Sequence, residues 1–296
     1  MEIIGRKVGK LLQSAFEKYP IVTVTGPRQS GKSTLVQSLF PGLSYVNLES
    51  QATQLLAKQD PVGFCARYKA GAIFDEVQNV PELFPELQVV TDRAAKNSLF
   101  VLSGSQNFLL MEGISQSLAG RSAIFKLYPF TQEELQQHRK QELEERIFYG
   151  GFPRIFKEDL DPSDWLDNYT QTFVERDIRS LRNIANLAQF RLFLRMCAAR
   201  SGQLLDLVGL GNDCGVSSNT AKAWISLLET SFVVFRLPPY FRNFNKRLIK
   251  SPKLYFWDTG LLCYLLGLRT ASEIATHPQL SLIHISEPTR LHCISY

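Results

Sequence analysis

The sequence predicts an α/β fold: a parallel sheet with helices on both faces, followed by a mostly helical region and a winged helix. Three observations predict it. Short apolar, β-branched runs alternate with helical patterns over the first 130 residues, as in a sheet buried on both sides. Polar clusters follow the first, third and fourth of these runs, where such a sheet presents the carboxyl ends of its strands. Beyond Pro129 helices dominate, and two strand-like runs return only after Thr230.

The elements follow in order. Residues 6–19 have a helical pattern, with Val8, Leu11, Leu12, Ala15 and Phe16 on one side, and Pro20 ends it. Residues 21–25, Ile-Val-Thr-Val-Thr, read as a buried strand, and a glycine-bounded loop leads into a helix over about 32–40. Strands are expected at 45–48, 71–74, 99–102 and 123–127, with a helix over 81–95. Thr131 and Glu134 form a capping box, in which hydroxyl and carboxylate satisfy N–H groups at a helix start. Residues 150–153, Gly-Gly-Phe-Pro, are the clearest break in the helical region. A helix is expected at 203–211, a turn at Gly215 and Val216, and a second helix capped by Ser217. Strands at 232–235 and 254–257 then form a wing. The organisation read from this is a nucleotide-binding domain at 1–130, a helical connection at 131–200 and a winged helix at 201–270.

Bulk properties bound the function. The 296 residues have a net charge of +5, which permits nucleic-acid binding without arguing for it. Five cysteines occur without a C-x-x-C pair, so a zinc site is not expected, and free thiols fit a reducing compartment. No apolar stretch approaches the roughly 18 residues that cross a bilayer, and the charged amino terminus is unlike a signal peptide. The expectation is a cytoplasmic protein with no membrane partner.

Chemistry concentrates in four places. Gly26, Pro27, Arg28, Gln29, Ser30, Gly31, Lys32 and Ser33, followed by Thr34, meet G-x-x-x-x-G-K-[ST] in full, between a strand and a helix. A triphosphate needs many inward N–H groups, which glycines permit, and a helix start adds a positive end. Lys32 would reach the β- and γ-phosphates of ATP, and Ser33 would hold Mg²⁺. Asp75 and Glu76 close the third strand: Asp75 is placed to hold the metal and Glu76 to polarise a water. The run Ser103-Gly104-Ser105-Gln106-Asn107 offers a polar group between those acids and the γ-phosphate, with Ser103 or Ser105 the candidate and Asn107 an alternative. It reads equally as a strand-to-helix turn. Arg121 is either a contact to the γ-phosphate, in cis or from a neighbouring subunit, or a solvated arginine, and Arg28 has the same two readings.

From Thr230 to Trp257 the chain carries Arg236, Arg242, Lys246, Arg247, Lys250 and Lys253 and no acid. A wing this basic suits duplex DNA, through Lys246, Arg247 and Lys250. Winged helices also serve as protein-contact modules.

The loop residues 26–34, with Phe74-Asp75-Glu76-Val77-Gln78, Ser103-Gly104-Ser105, Ser117-Leu118-Ala119-Gly120-Arg121 and Leu127-Tyr128-Pro129-Phe130, resemble a family of prokaryotic AAA-type ATP-binding proteins. Downstream, Gly150-Gly151-Phe152-Pro153, Glu175-Arg176-Asp177-Ile178, the run 246–253 and the run 255–261 resemble its accessory region, the domain of unknown function 4143. The resemblance implies a P-loop NTPase domain of AAA/ASCE type, then a winged helix, then a region similar to restriction-endonuclease-type folds. The last part is expected to be missing, and with it any nuclease-like role. Residues 281–290 resemble translated adapter sequence, so 281–296 is expected to be a non-native tail whose histidines, His284 and His292, ligate nothing.

The reading that follows is an ATPase that hydrolyses ATP with Mg²⁺, coupled to an unidentified process for which DNA is one candidate, and working alone or as a homo-oligomer. The competing reading is a nucleotide-gated DNA- or protein-binding module with slow hydrolysis. A small-molecule kinase shares the loop but would need an arginine-rich lid, which the sequence lacks after the fourth strand.

Overall fold

The computed structural model describes residues 4–105, 107–138, 141–172, 186–240 and 251–277. The chain divides into two compact units, Glu2–Tyr128 and Pro129–Tyr296.

The first unit is built on five strands, β1 (Ile21–Thr25), β2 (Ser44–Asn47), β3 (Ala72–Asp75), β4 (Phe100–Gly104) and β5 (Ser122–Lys126). They form one parallel sheet in the order β2-β3-β4-β1-β5. Residue parity decides which side each apolar residue covers. Val22, Val24, Ile73 and Val101 pack with Leu12 and Ala15 of α1 (Val8–Lys18) and with Leu35 and Val36 of α2 (Lys32–Leu39). Ile21, Phe74, Phe100 and Leu102 belong to a second cluster. It contains Ala57 of α3 (Gln51–Gln59), Phe64 of α4 (Pro61–Ala66), Leu83 and Leu87 of α5 (Leu83–Ala94), and Leu110 and Ile114 of α6 (Asn107–Ser117). The sheet therefore has helices on both faces, and its central strands are buried along their whole length. This is the α/β fold of P-loop NTPases.

The order of the strands matters most for function. β4 lies between β1 and β3, so the end of β4 separates the loop after β1 from the acids after β3. β4 also runs two residues further than the sequence pattern suggests: Ser103 and Gly104 remain in the ladder opposite Val24 and Thr25.

The second unit has its own core. Its helices are α7 (Gln132–Gln136), α8 (Leu143–Tyr149), α9 (Pro153–Lys157), α10 (Pro162–Thr172), α11 (Leu187–Ala199), α12 (Leu207–Cys214), α13 (Ser218–Thr230), α14 (Thr259–Leu265) and α15 (Ser272–Thr276). α7 starts at the capping box, with the Thr131 hydroxyl accepting from Glu134 N and the Glu134 carboxylate from Thr131 N. Strands β6 (Val234–Leu237) and β7 (Lys253–Phe256) pair antiparallel. The helix expected from Gln203 starts only at Leu207. Ahead of it Gly202 N donates to Leu254 O, and Leu204 bridges Lys253, so residues 202–205 lie along β7. Asp206, which accepts from Val208 N and Gly209 N, is the cap that sets the later start.

Among the described residues no helix is long and apolar enough to cross a membrane. The wing bases Arg242, Lys246, Arg247 and Lys250, the motif at Glu175, Arg176 and Asp177, and the tail 281–296 lie outside the described residues.

Candidate nucleotide site

β1 ends at Thr25 and the chain turns at once through Gly26. A Cβ on Gly26 would sit 2.0 Å from the Leu127 carbonyl oxygen, and its φ is 155°, so the loop can leave β1 here only as glycine. Gln29 and Gly31 take positive φ values of 64° and 87°, and α2 begins at Lys32 with no side chain capping its first turn. Its free N–H groups and positive dipole end lie at the loop.

Lys32 is 5% exposed. Its ammonium donates to the carbonyls of Gly26 (3.0 Å) and Pro27 (2.8 Å), which ties the first residue of α2 back to the start of the loop. Behind the loop, the Arg6 guanidinium donates to Ser30 O at 3.2 Å and to Tyr128 O. Arg28 faces Glu49 at 3.8 Å on the partly exposed rim.

The neighbouring strands supply the acids. Asp75 ends β3 and is buried. The Ser103 hydroxyl, from β4, donates to its Oδ1, and the Tyr45 phenol, from β2, donates to its Oδ2 at 2.6 Å. The Ser33 hydroxyl lies close enough to that phenol to act on its acidity. Burial and then the Asp75 carboxylate hold the Tyr45 phenol well above its ordinary range, with Ser33 acting the other way. Tyr45 and Ser103 thus meet on Asp75, with Ser33 of α2 beside the phenol, although the four residues are far apart in sequence.

Glu76 has a φ of 54° and turns its carboxylate toward the end of β4. There Oε2 accepts from the Ser105 hydroxyl (3.0 Å), from Ser105 N (3.2 Å) and from the Gln78 amide. Sequence reasoning missed Tyr45, Gln78 and Arg6. Gln78 follows the acid pair by two residues and was legible as a polar residue in its turn. Tyr45 and Arg6 reach the site only through sheet register and chain path, which no local pattern reports.

Arg121 is not brought to this edge. It immediately precedes β5, its carbonyl accepts from Ile21 N, and its guanidinium holds Asp92 of α5 at 2.6 and 2.9 Å. Five residues of β1, about 16 Å at the usual strand rise, separate that end of the sheet from the loop. In this placement the Arg121 guanidinium is engaged at the opposite end of the sheet from the loop. The Asn107 side chain lies outside what the structure describes.

The oxygen donors fit Mg²⁺. It takes hard oxygen ligands, keeps several waters and usually needs one or two carboxylates plus substrate phosphates. The Asp75 carboxylate and the Ser33 hydroxyl, both beside the Tyr45 phenol, are oxygen donors of that kind. Among the described residues no cluster of three or more His, Cys, Asp or Glu forms a self-sufficient cage, so the phosphates would complete the shell.

Comparison with known proteins agrees with the fold. Residues 18–136 match the family model described as an AAA domain. Residues 140–272 match a domain of unknown function, DUF8612, rather than the 4143 domain implied by the resemblance. An uncharacterised protein of Mycobacterium tuberculosis and one of Mycobacterium bovis are each 33% identical over 286 residues, 95% of this chain and 64% of theirs. The chain therefore spans just under two thirds of the length of these relatives. An uncharacterised protein of Haemophilus influenzae is 23% identical over 85% of this chain and 70% of its own. Among solved structures, a Walker-type ATPase of Pyrococcus abyssi superposes with a TM-score of 0.59 at 14% identity, over 89% of this chain and 96% of that one. At that identity the likeness is one of fold.

Proposed function

We propose that this chain, with its P-loop NTPase fold and its match to an AAA domain, binds Mg·ATP on the loop Gly26 to Thr34 and hydrolyses it to ADP and phosphate. The observation that carries the proposal is that the Tyr45 phenol, bound to Asp75 at 2.6 Å at the end of β3, also lies beside Ser33 of the loop motif. A chance loop motif has no reason to meet the end of β3, whereas a metal–phosphate site requires it. Loop amides and the start of α2 hold the phosphates, and Lys32 exchanges its carbonyl partners for phosphate oxygens. Ser33 and Asp75 hold the metal, which when bound neutralises charge on the β- and γ-oxygens. Ser103 fixes Asp75, and Glu76 orients the attacking water. Most of the acceleration on this reading is positional and electrostatic.

One observation favours slow turnover. The Glu76 Oε2 accepts three hydrogen bonds from Ser105 and Gln78, which pin the carboxylate at the end of β4 and leave Oε1 alone to serve a water. On that reading ATP sets the state of a binding module, and hydrolysis is slow or incidental. The module would be the second unit. α11, the paired segment 202–205, α12, α13, β6 and β7 follow the order of a winged helix, which supports duplex DNA or a protein as partner. Free, buried Cys65, Cys197, Cys214 and Cys263 fit a reducing cytoplasm.

Phosphate release from wild type and Glu76→Gln, with and without duplex DNA, tests both readings. Hydrolysis by wild type, lost by a variant that still binds ATP, is expected. No hydrolysis by either, with ATP altering DNA affinity, favours the module. Equal hydrolysis by both contradicts the role of Glu76.

A further inference from the structure

Tyr45 has no part in the nucleotide chemistry derived above, yet it touches both residues assigned to the metal. It lies on β2, the edge strand beside β3, where its register partner is Ile73, while Asn47 stands opposite Asp75. A side chain at position 45 must therefore reach along the sheet to meet the end of β3. A phenol is long enough to do so. Tyr45 is 40% exposed, but its hydroxyl donates to Asp75 at 2.6 Å and lies beside the Ser33 hydroxyl.

Hydrogen-bond direction gives this contact its meaning. A serine hydroxyl has one proton and two lone pairs, and an ionised carboxylate only accepts. Asp75 receives the Tyr45 proton on Oδ2 and the Ser103 proton on Oδ1, so each oxygen is fixed and retains a lone pair. With the phenol proton spent on Asp75, the phenol oxygen faces Ser33 as an acceptor. The Ser33 proton then points at Tyr45, and both serine lone pairs are left for another partner. A chain in which every proton is passed toward the carboxylate also polarises its members, which makes the serine oxygen a better donor to a cation.

We propose that Tyr45 is a positioning residue for the metal of the nucleotide complex: its hydroxyl donates a hydrogen bond to Asp75, leaves its oxygen to accept one from Ser33, and so presents the oxygens of both residues to one divalent ion. This rests on the reading of Ser33 and Asp75 as the metal-holding pair. Outer hydrogen-bond partners of metal ligands act in this way, and their loss commonly weakens metal affinity by about 10- to 100-fold.

The test removes one oxygen atom. Mn²⁺ serves as the probe, its affinity for the protein–ADP complex read by the electron paramagnetic resonance of free Mn²⁺, in wild type, Tyr45→Phe and Ser33→Ala. Metal-free ADP affinity is measured on the same samples. The expected result for Tyr45→Phe is a loss of about tenfold or more in Mn²⁺ affinity with metal-free ADP affinity unchanged. Unchanged Mn²⁺ affinity overturns the proposal. Tighter Mn²⁺ binding also overturns it, because the phenol would then compete with the ion. An equal loss of metal-free ADP affinity overturns it too, since the ring would merely support the loop. Ser33→Ala separates the two layers. If it spares Mn²⁺ binding, the metal assignment itself fails. If it abolishes Mn²⁺ binding while Tyr45→Phe does not weaken it, only the role of Tyr45 fails.

Discussion

Gly26 shows how far a single atom constrains this site. A methyl group there meets a backbone carbonyl, not a flexible side chain, so either β5 or the loop must move. Gly26→Ala is expected to cost about 1–3 kcal/mol, the range for a residue forced into a sparsely populated backbone region, and to weaken ATP binding at least as much. Urea unfolding followed by far-ultraviolet circular dichroism, with nucleotide titrations beside it, checks both. The loop was fully legible in the sequence because its requirement is local: glycines, a lysine and a hydroxyl at fixed spacing between a strand and a helix. Asp75 and Glu76 were legible as strand-end acids. Ser103 and Ser105 were legible as candidates beside those acids, whereas Tyr45 was not, because it reaches Asp75 through a strand order that sequence does not print. Arg121 misled for the same reason. It sits next to a strand of the right sheet, but parallel pairing places it at the amino end, on Asp92.

At the scale of elements, caps and buried faces decide where helices begin. The capping box at Thr131 was legible and forms, and Thr131→Ala should cost about 1 kcal/mol. Tryptophan fluorescence reports this directly, since Trp165, Trp224 and Trp257 all belong to the second unit. α14 starts at a more sensitive cap. Asp258 is buried and accepts from Gly151 N at 2.8 Å and Leu261 N at 2.7 Å, and burial outweighs these amides and raises its carboxyl to about 6. The folded unit then keeps a proton that the unfolded chain releases near pH 4, so stability falls as pH rises from about 4 to about 6 and is level on either side. Relative to Asp258→Asn, wild type should lose urea resistance across that window, read by tryptophan fluorescence; an unchanged difference would remove this source of pH dependence. α3 and α4 escaped sequence reading because their apolar residues mark no buried stripe: Leu55, Leu56 and Val62 are exposed, while Ala57, Phe64 and Cys65 carry the packing. Residues 203–205 were read as helix from local pattern, but pairing with β7 takes their backbone instead.

At the scale of the molecule, each unit has its own core, and the residues proposed for the nucleotide site that the structure describes all lie in the first. Mg·ATP at about 100 times its dissociation constant should stabilise the unit that binds it by about 2.7 kcal/mol. Amide hydrogen exchange should then slow in β1, β3 and β4. The most direct measurement of the central claim is calorimetric titration of Mg·ATP into wild type and Lys32→Ala. Saturable heat with wild type, reduced at least tenfold in affinity or lost in the variant, is the predicted result. No heat with wild type, or equal affinity in the two proteins, would contradict a phosphate cradle at the end of β1.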